Sequence, residues 1–212
     1  MSGRRLRHYA FRLPILTAVR RGILGGTFDP PHYGHLFMGE VAYWQLDLDV
    51  VTFMPAGSPW QKNDLSVSDP RRRLEMTRLA VAGVPYFEVD DREVDRDGWT
   101  YTADTLSTFP VHEELVLILG ADAASRLSTW QRHEEVTERA TIAVMPRPGS
   151  TREQVAETLG HDGFVWLVGP ELDISGTVIR ERLQSARSVR FLMPESVRAY
   201  AEAVGLHRVE SA

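Results

Sequence analysis

Short, mainly apolar runs alternate along this chain with longer segments that mix apolar and polar residues. A continuous apolar run of this kind is typical of a strand buried on both faces of a parallel sheet, because no position in such a strand faces water. Such runs predict strands over residues 50–54, 115–119 and 141–145. Residues 19–24, which end in the apolar pair Ile23-Leu24, also suit a buried strand.

The segments between these runs have the spacing of helices. Residues 36–46, which follow the first strand, suit a helix. Residues 71–82 predict a second helix, because Asp69 can cap its first turn, Pro70 suits its first position and Gly83 can end it.

The succession of strand, helix and parallel strand predicts an α/β fold. We expect a Rossmann-like, doubly wound parallel sheet with helices on both faces and a small helical part at the C-terminus. Ligands of such sheets bind at the carboxyl ends of the strands. Without internal repeat or linker, residues 19–212 are predicted to form one domain. Residues 1–18 suit a basic, flexible extension, with a nucleic-acid-binding arm as the alternative.

The turn after the first strand carries the most informative chemistry of the chain. It reads G-G-T-F-D-P-P-H-Y-G-H over residues 25–35. Glycines there let main-chain N–H groups approach an anion, and the start of the following helix favours negative charge. The spacing of His32 and His35 places them on one face of the first helical turn, where imidazolium groups can meet phosphate oxygens.

Two other kinds of site compete for the same pattern. Paired histidines at helical spacing can share a metal ion, but zinc and iron sites usually add cysteine or carboxylate ligands, and only Glu40 lies near on this helix. A Rossmann hydride-transfer site is disfavoured because G-x-G-x-x-G is absent. The pattern therefore favours phosphate binding, without a metal held by the protein.

Composition narrows the class of partner. A formal net charge of -5 argues against a general nucleic-acid binder but leaves small anionic substrates open, because their binding depends on the local field. The absence of cysteine excludes disulfides, thiolate zinc sites and a cysteine nucleophile. No apolar run approaches the roughly 20 residues of a membrane-spanning helix, so we expect a cytoplasmic protein without membrane partners. Whether it forms a homo-oligomer stays open.

A second motif, I-S-G-T-V-I-R over residues 174–180, has the features of a helix start. Ser175 and Thr177 supply hydroxyl groups, and Arg180 follows about one turn later. Alone, this pattern predicts an ordinary N-cap. Its pairing with the glycine and histidine motif makes a second group of phosphate ligands the better interpretation.

Both motifs resemble those of one family. The first is similar to the signature of the nucleotidyltransferase superfamily that shares H-x-G-H with class I aminoacyl-tRNA synthetases. The second resembles the I-S-[ST]-T-x-I-R motif of bacterial nicotinate-nucleotide adenylyltransferases, although Gly176 stands where that pattern has a larger residue. The order and separation of the motifs agree with that family, and the resemblance runs from about residue 20 to the C-terminus.

The resemblance implies three groups of site residues. Those expected to be catalytic are His32, His35 and Arg180. Those expected to bind ATP and its phosphates are Gly25, Gly26, Thr27, Phe28, Lys62, Ser175 and Thr177. Those expected to bind the mononucleotide are Thr100, Tyr101, Gly120, Asp122 and Trp130, where the indole would stack on a pyridine ring. Gln131 departs from the tyrosine often found at this position in the family.

The activity implied by the family is adenylyl transfer. The 5′-phosphate of nicotinate mononucleotide attacks the α-phosphorus of ATP, with Mg²⁺ on the leaving phosphates, to give nicotinate adenine dinucleotide and pyrophosphate. Because the nucleophile is already anionic, catalysis needs alignment and charge stabilisation rather than a general base. The alternatives are an adenylyltransferase for nicotinamide mononucleotide or phosphopantetheine, and a non-catalytic nucleotide-binding regulator. Acid or amide preference is left open.

Overall fold

Six parallel strands form a single sheet in the computed structural model, which describes residues 18–58 and 67–207. The strands are β1 (Arg20–Gly26), β2 (Val50–Pro55), β3 (Phe87–Val89), β4 (Glu114–Gly120), β5 (Ala140–Met145) and β6 (Val165–Trp166). Their order across the sheet is β3-β2-β1-β4-β5-β6. The predicted doubly wound parallel sheet is confirmed.

Eight helices connect or follow the strands in the described ranges. They are α1 (Tyr33–Gln45), α2 (Pro70–Val81), α3 (Thr102–Ser107), α4 (Ala121–Ala124), α5 (His133–Arg139), α6 (Arg152–Leu159), α7 (Gly176–Gln184) and α8 (Glu195–Ala203). None of these helices has the length and apolar character needed to cross a membrane. Except for Ala18, the predicted N-terminal extension lies outside the described residues, so its separation from a domain over 19–212 stays a prediction.

Helix α2 begins as its sequence predicts. Asp69 precedes the helix, and its Oδ1 accepts the main-chain N–H groups of Arg71 at 2.9 Å and Arg72 at 3.3 Å. Pro70 occupies the first position, where its missing N–H is not needed. Gly83, with φ of +87°, lies just past the end of the helix. Cap, proline and glycine therefore set both limits of α2.

Apolar clusters cover both faces of the sheet. Ile23 and Leu24 of β1 point to opposite faces, because side chains alternate along a strand. Ile23 packs in one cluster with Leu106 of α3, and Leu24 packs in another with Ala42 of α1. Helices thus lie on both sides, as predicted, and the central strands are shielded from water.

The predicted C-terminal helical part is also present. Helices α7 and α8 pack against α2 through a third apolar cluster, which includes Ile179, Val197 and Met76. This packing carries the second motif to the start of α1, where the first motif lies. Two segments about 150 residues apart in sequence are thereby brought together at one end of the sheet; Arg180 and Asp29, for example, are separated by 151 positions.

A crevice opens between β1 and β4, where the strand order reverses. The chain runs from β1 to β2 on one side and later crosses to β4 on the other. Strands β1 and β4 pair only as far as Ile23 and Leu117, although β1 continues to Gly26 and β4 to Gly120. The last three residues of each strand therefore separate, which is the usual ligand position in such sheets.

Candidate functional site

A cavity of about 290 Å³ lies at the carboxyl ends of β1 and β4. Its wall combines residues from the glycine turn, the start of α3 and the segment after β4. The predicted site residues that line it are Gly25, Gly26, Thr27, His35, Thr100, Tyr101, Gly120, Asp122 and Trp130. Residues predicted for the ATP half and for the mononucleotide half thus share one cavity.

The glycine turn leaves space on the cavity side. A Cβ atom built at Gly25 would meet no heavy atom within 4 Å, so a side chain there would project into space that is now open to a ligand. At Gly26 a Cβ would lie 3.2 Å from the ring of Phe28. Glycine at these positions therefore keeps the turn compact and the main chain accessible.

The side chain of Phe28 lies in the core and not on the cavity wall. We expected it among the ATP ligands, but its side chain is 1% exposed and belongs to the core. Its ring and the ring of His35 form a T-shaped contact, with 4.9 Å between the centroids. The side chain of Phe28 thus supports His35 from the core, and any ligand contact at this position is limited to the main chain.

The two histidines form a stacked pair at the start of α1. Their ring centroids are 3.7 Å apart, and the main-chain N–H of His32 donates to Nδ1 of His35 at 3.2 Å. Because Nδ1 of His35 accepts this hydrogen bond, a neutral His35 ring carries its proton on Nε2. His35 lines the cavity, whereas His32 lies behind it and is 2% exposed.

The buried environment of His32 disfavours the imidazolium form that a charged contact with phosphate would need, and a catalytic role for His32 stays a prediction. Burial, together with the positive charges of Arg147 and Arg180, lowers the pKa of His32 to about 3. Its Nδ1 is buried and has no hydrogen-bond partner among the described residues. His32 is therefore a neutral ring at physiological pH, and its observed contact is the stack against His35.

The low pKa of His32 makes the fold sensitive to acid. The unfolded chain takes up a proton near pH 6.5 while the folded chain does not until about pH 3, so stability falls as the pH drops through this window. Between pH 7 and pH 4 we expect His32→Asn to lose about 3 kcal/mol less unfolding free energy than the wild type, measured by urea denaturation. The exposed His112 provides the control, as His112→Asn should keep the wild-type pH dependence. Equal pH dependence in all three proteins would contradict a neutral, buried His32.

The guanidinium of Arg180 makes one hydrogen bond to the first motif and one within its own helix. Its Nη1 donates to the main-chain oxygen of Asp29 at 3.0 Å, and its Nη2 donates to Oγ1 of Thr177 at 3.1 Å. A Cβ at Gly176 would lie 3.0 Å from Nη1 of Arg180. Glycine at this departure from the family pattern therefore leaves room for the guanidinium.

The side chain of Ser175 caps the start of helix α7. Its Oγ accepts the main-chain N–H of Val178 at 3.3 Å, which is the ordinary N-cap geometry for α7. The hydroxyl groups of Ser175 and Thr177 thus already have partners within the chain, and their contact with phosphate stays a prediction. The same holds for Lys62, which lies outside the described residues.

A buried arginine that the sequence reasoning missed joins the loops below the cavity. Arg73 of α2 is 1% exposed, and its guanidinium donates to four main-chain carbonyl groups. The acceptors are Ser68 at 2.9 Å, Thr27 at 2.8 Å, Ala56 at 2.6 Å and Gly57 at 2.8 Å. A signal was available, because Arg73 falls on the helix face that also carries Thr77 and Ala80, both buried.

Asp29 was also missed as a structural centre. Its side chain accepts the Ser68 N–H at 3.0 Å and lies 3.1 Å from Nε2 of His207. Burial alone would raise the pKa of Asp29, but the hydrogen bonds from His207 and Ser68 hold this pKa below its usual value. Asp29 therefore stays charged and ties the motif turn to the C-terminal end of the described chain.

Two further charged residues on the cavity wall were not predicted. Arg147 follows β5, donates to the main-chain oxygen of Ile174 at 3.2 Å and lies 3.8 Å from Asp122. Glu93 accepts the hydroxyl of Thr105 at 2.6 Å, and burial raises the pKa of Glu93 above its usual value. The available signal for Arg147 was its place just beyond the carboxyl end of a buried strand.

Trp130 lines the cavity and also packs against the core. Its Nε1 is buried and has no hydrogen-bond partner in the described part of the chain. Gln131 lines the cavity next to it. The ring is thus available on its cavity side, while its other side is held by apolar neighbours.

Comparison with known proteins places the chain in a family. The family model described as cytidylyltransferase-like matches residues 23–182. A probable nicotinate-nucleotide adenylyltransferase of Dehalococcoides mccartyi is 39% identical, and the match covers 91% of this chain and 98% of that protein. One of the same name from Roseiflexus is 42% identical over 88% of this chain and 97% of its own.

Solved structures share the fold. A Plasmodium falciparum nicotinic acid mononucleotide adenylyltransferase complexed with NaAD has a TM-score of 0.75 at 17% identity, over 89% of this chain and 97% of its own. With the family model covering most of the chain and relatives near 40% identity along almost their whole length, the chain belongs to the nicotinate-nucleotide adenylyltransferases of the cytidylyltransferase-like family.

Proposed function

We propose that this protein transfers the adenylyl group of ATP to nicotinate mononucleotide, giving nicotinate adenine dinucleotide and pyrophosphate. One observation carries the proposal: the glycine turn with His35 and the segment with Tyr101 and Trp130 line the same cavity. A cavity with a phosphate-binding turn at one side and a planar aromatic ring at the other suits two nucleotides that must meet. The names of the curated relatives support the same reaction.

The ATP phosphates are assigned to the side of the cavity that carries the glycine turn. Main-chain N–H groups near Gly25 and Nε2 of His35 face developing negative charge there. Arg180, anchored on Asp29, and Arg147, anchored on Ile174, add positive charge at the edges of this region. The roles of Ser175, Thr177 and Lys62 as phosphate ligands are part of the proposal.

The pyridine nucleotide is assigned to the side with Trp130. Its ring would stack on the indole, while Thr100, Tyr101, Gly120 and Asp122 surround the rest of the molecule. The 5′-phosphate then points toward the glycine turn and attacks the α-phosphorus in line, with pyrophosphate leaving. Since this phosphate is already an anion, alignment and charge stabilisation suffice, and no residue needs to remove a proton.

Because His32 is neutral and buried, the two histidines have different roles in this proposal. His35 faces the cavity and supplies the hydrogen-bond donor, whereas His32 holds the His35 ring in place through the stack and through its main-chain N–H. Two adjacent positive charges would repel each other at this spacing. A neutral His32 avoids that cost and leaves the charge at the edge of the site to the arginines.

Mg²⁺ enters this proposal as part of the substrate. Within residues 18–58 and 67–207, no group of three or more His, Asp or Glu side chains is arranged to hold a metal ion. Mg²⁺ commonly keeps several waters and binds substrate phosphates with few protein ligands. We therefore assign it to the β- and γ-phosphates of ATP. In this proposal the two nucleotides are the partners of the enzyme, and the enzyme is cytoplasmic.

The direct test supplies the purified protein with ATP, Mg²⁺ and one acceptor at a time. Nicotinate mononucleotide, nicotinamide mononucleotide and phosphopantetheine are the three acceptors, and pyrophosphate and adenylylated product are measured separately. We expect nicotinate mononucleotide to give the highest kcat/KM. The proposal would be refuted if phosphopantetheine were the only acceptor that gives product, or if none of the three acceptors gives product.

A further inference from the structure

Arg126 lies at the same end of the cavity as Trp130. Residues Leu127–Thr129 form a single 3-10 turn, with Arg126 before it and Trp130 after it. The turn is closed by two main-chain hydrogen bonds, from Thr129 to Arg126 at 2.9 Å and from Trp130 to Leu127 at 2.9 Å. Both flanking side chains line the cavity, so a guanidinium and an indole border one region.

The guanidinium of Arg126 is uncommitted. It makes no hydrogen bond or ion pair with any residue in the described ranges, and the side chain is exposed. Neighbouring arginines differ in this respect: Arg147 donates to Ile174, and Arg132 pairs with Asp104. Arg126 is therefore a cation on the cavity wall that can turn to a ligand without breaking an existing contact.

The acceptor has two anionic groups at its two ends. Its 5′-phosphate must reach the α-phosphorus of ATP near the glycine turn, so the pyridine ring lies at the Trp130 end. The carboxylate of nicotinate projects from that ring, whereas nicotinamide carries a neutral amide at the same place. Gln131, which also lines this end, is neutral and cannot distinguish the two by charge. Arginine binds carboxylate through two parallel N–H donors.

We propose that Arg126 binds the carboxylate of the nicotinate ring and thereby selects the acid over the amide. The inference rests on the proposed adenylyl transfer to a pyridine mononucleotide. It assigns substrate selectivity to a side chain outside both sequence motifs. It also explains how the cavity can bind a negatively charged carboxylate although two acidic residues, Glu93 and Asp122, line its wall.

The test compares kcat/KM for nicotinate and nicotinamide mononucleotide in three variants. Arg126→Gln should lower the value for nicotinate mononucleotide about 10- to 100-fold, the range of a hydrogen bond to a charged group, mainly through KM. The value for nicotinamide mononucleotide should change less than about 2-fold, because the amide offers no charge to lose. Arg126→Lys should fall between, since it keeps the charge but not the paired donors.

Arg187→Gln is the matched control. Arg187 is exposed between α7 and α8, outside this cavity, and its replacement changes the net charge by the same amount. It should leave both kcat/KM values unchanged. The inference is overturned if the wild type prefers the acid and Arg126→Gln keeps the same preference. It is also overturned if Arg126→Gln loses activity equally with both acceptors. In either case the proposed function still stands. A wild type that makes neither dinucleotide would overturn the proposed function itself.

Discussion

Replacing His35 with alanine is expected to lower kcat about 100- to 1000-fold, which is the usual cost of losing one preorganised donor to developing charge. His35 is the histidine that lines the cavity, and its Nε2 is directed by the hydrogen bond that Nδ1 accepts from His32. Because the side chain is only partly buried, the fold should survive. Loss of the hydrogen bond from His32 should cost about 1 kcal/mol of unfolding free energy.

The measurement is steady-state turnover, together with urea denaturation of the same samples. His112→Ala is the control, because His112 is exposed and precedes β4 at the opposite end of the sheet from the cavity. This variant should keep both turnover and stability. Near-normal turnover of His35→Ala would exclude a direct role for His35 in stabilising charge.

Replacing Arg73 with methionine is expected to cost at least about 4 kcal/mol of unfolding free energy. Methionine fills similar space but leaves four carbonyl groups without their donor, one buried and three partly buried. A buried group left unsatisfied costs about 1 to 3 kcal/mol, and water or local movement relieves part of the cost at the others. It also removes a cation that lies near the buried Asp29. A domain of ordinary stability, about 5 to 15 kcal/mol, would lose a large share of its margin.

Urea denaturation of Arg73→Met against Arg72→Met measures this loss. Arg72 is the neighbouring position on α2, but it is exposed, so its replacement should change stability by less than about 0.5 kcal/mol. Arg73→Lys should be intermediate, because one ammonium group cannot reach carbonyls on both the β1 and β2 sides. Similar stability of the Arg73→Met and Arg72→Met variants would show that the guanidinium does not hold these loops.

The longer elements of the fold could be predicted because their signals are local. The apolar runs that form β2, β4 and β5 are buried on both faces, and the cap at Asp69 specifies the start of α2 without help from other elements. Strands β3 and β6 were missed. They have three and two residues and only partly buried side chains, so no apolar run marks them.

Helix α1 began earlier than its pattern indicated. The sequence predicted a helix over 36–46, whereas α1 starts at Tyr33 with His32 as its N-cap. The first turn contains glycine and histidine, which carry little apolar signal, so the periodic part of the helix begins one turn late. The earlier start puts His35 in the first turn of α1 and His32 at its N-cap, which agrees with the helical spacing of the two histidines.

The residues alone could indicate members of the candidate site only where those members lie within one short motif. The glycine turn and the 174–180 motif are of this kind. Tyr101 and Trp130 lie in two separate segments and were indicated only by the resemblance to the family, although both line the cavity. The charge state of His32 is not, because it depends on burial and on Arg147 and Arg180, which lie far along the chain. The roles of Arg73 and Asp29 likewise follow from contacts between distant elements.

The central claim is that this cavity joins the two nucleotides by adenylyl transfer. The most direct measurement uses ATP labelled at the α-phosphate, with Mg²⁺, nicotinate mononucleotide and the purified protein, and follows the label and the pyrophosphate together. We expect the label in nicotinate adenine dinucleotide, with one pyrophosphate formed for each dinucleotide. Label recovered only in AMP or only in unreacted ATP would contradict the claim.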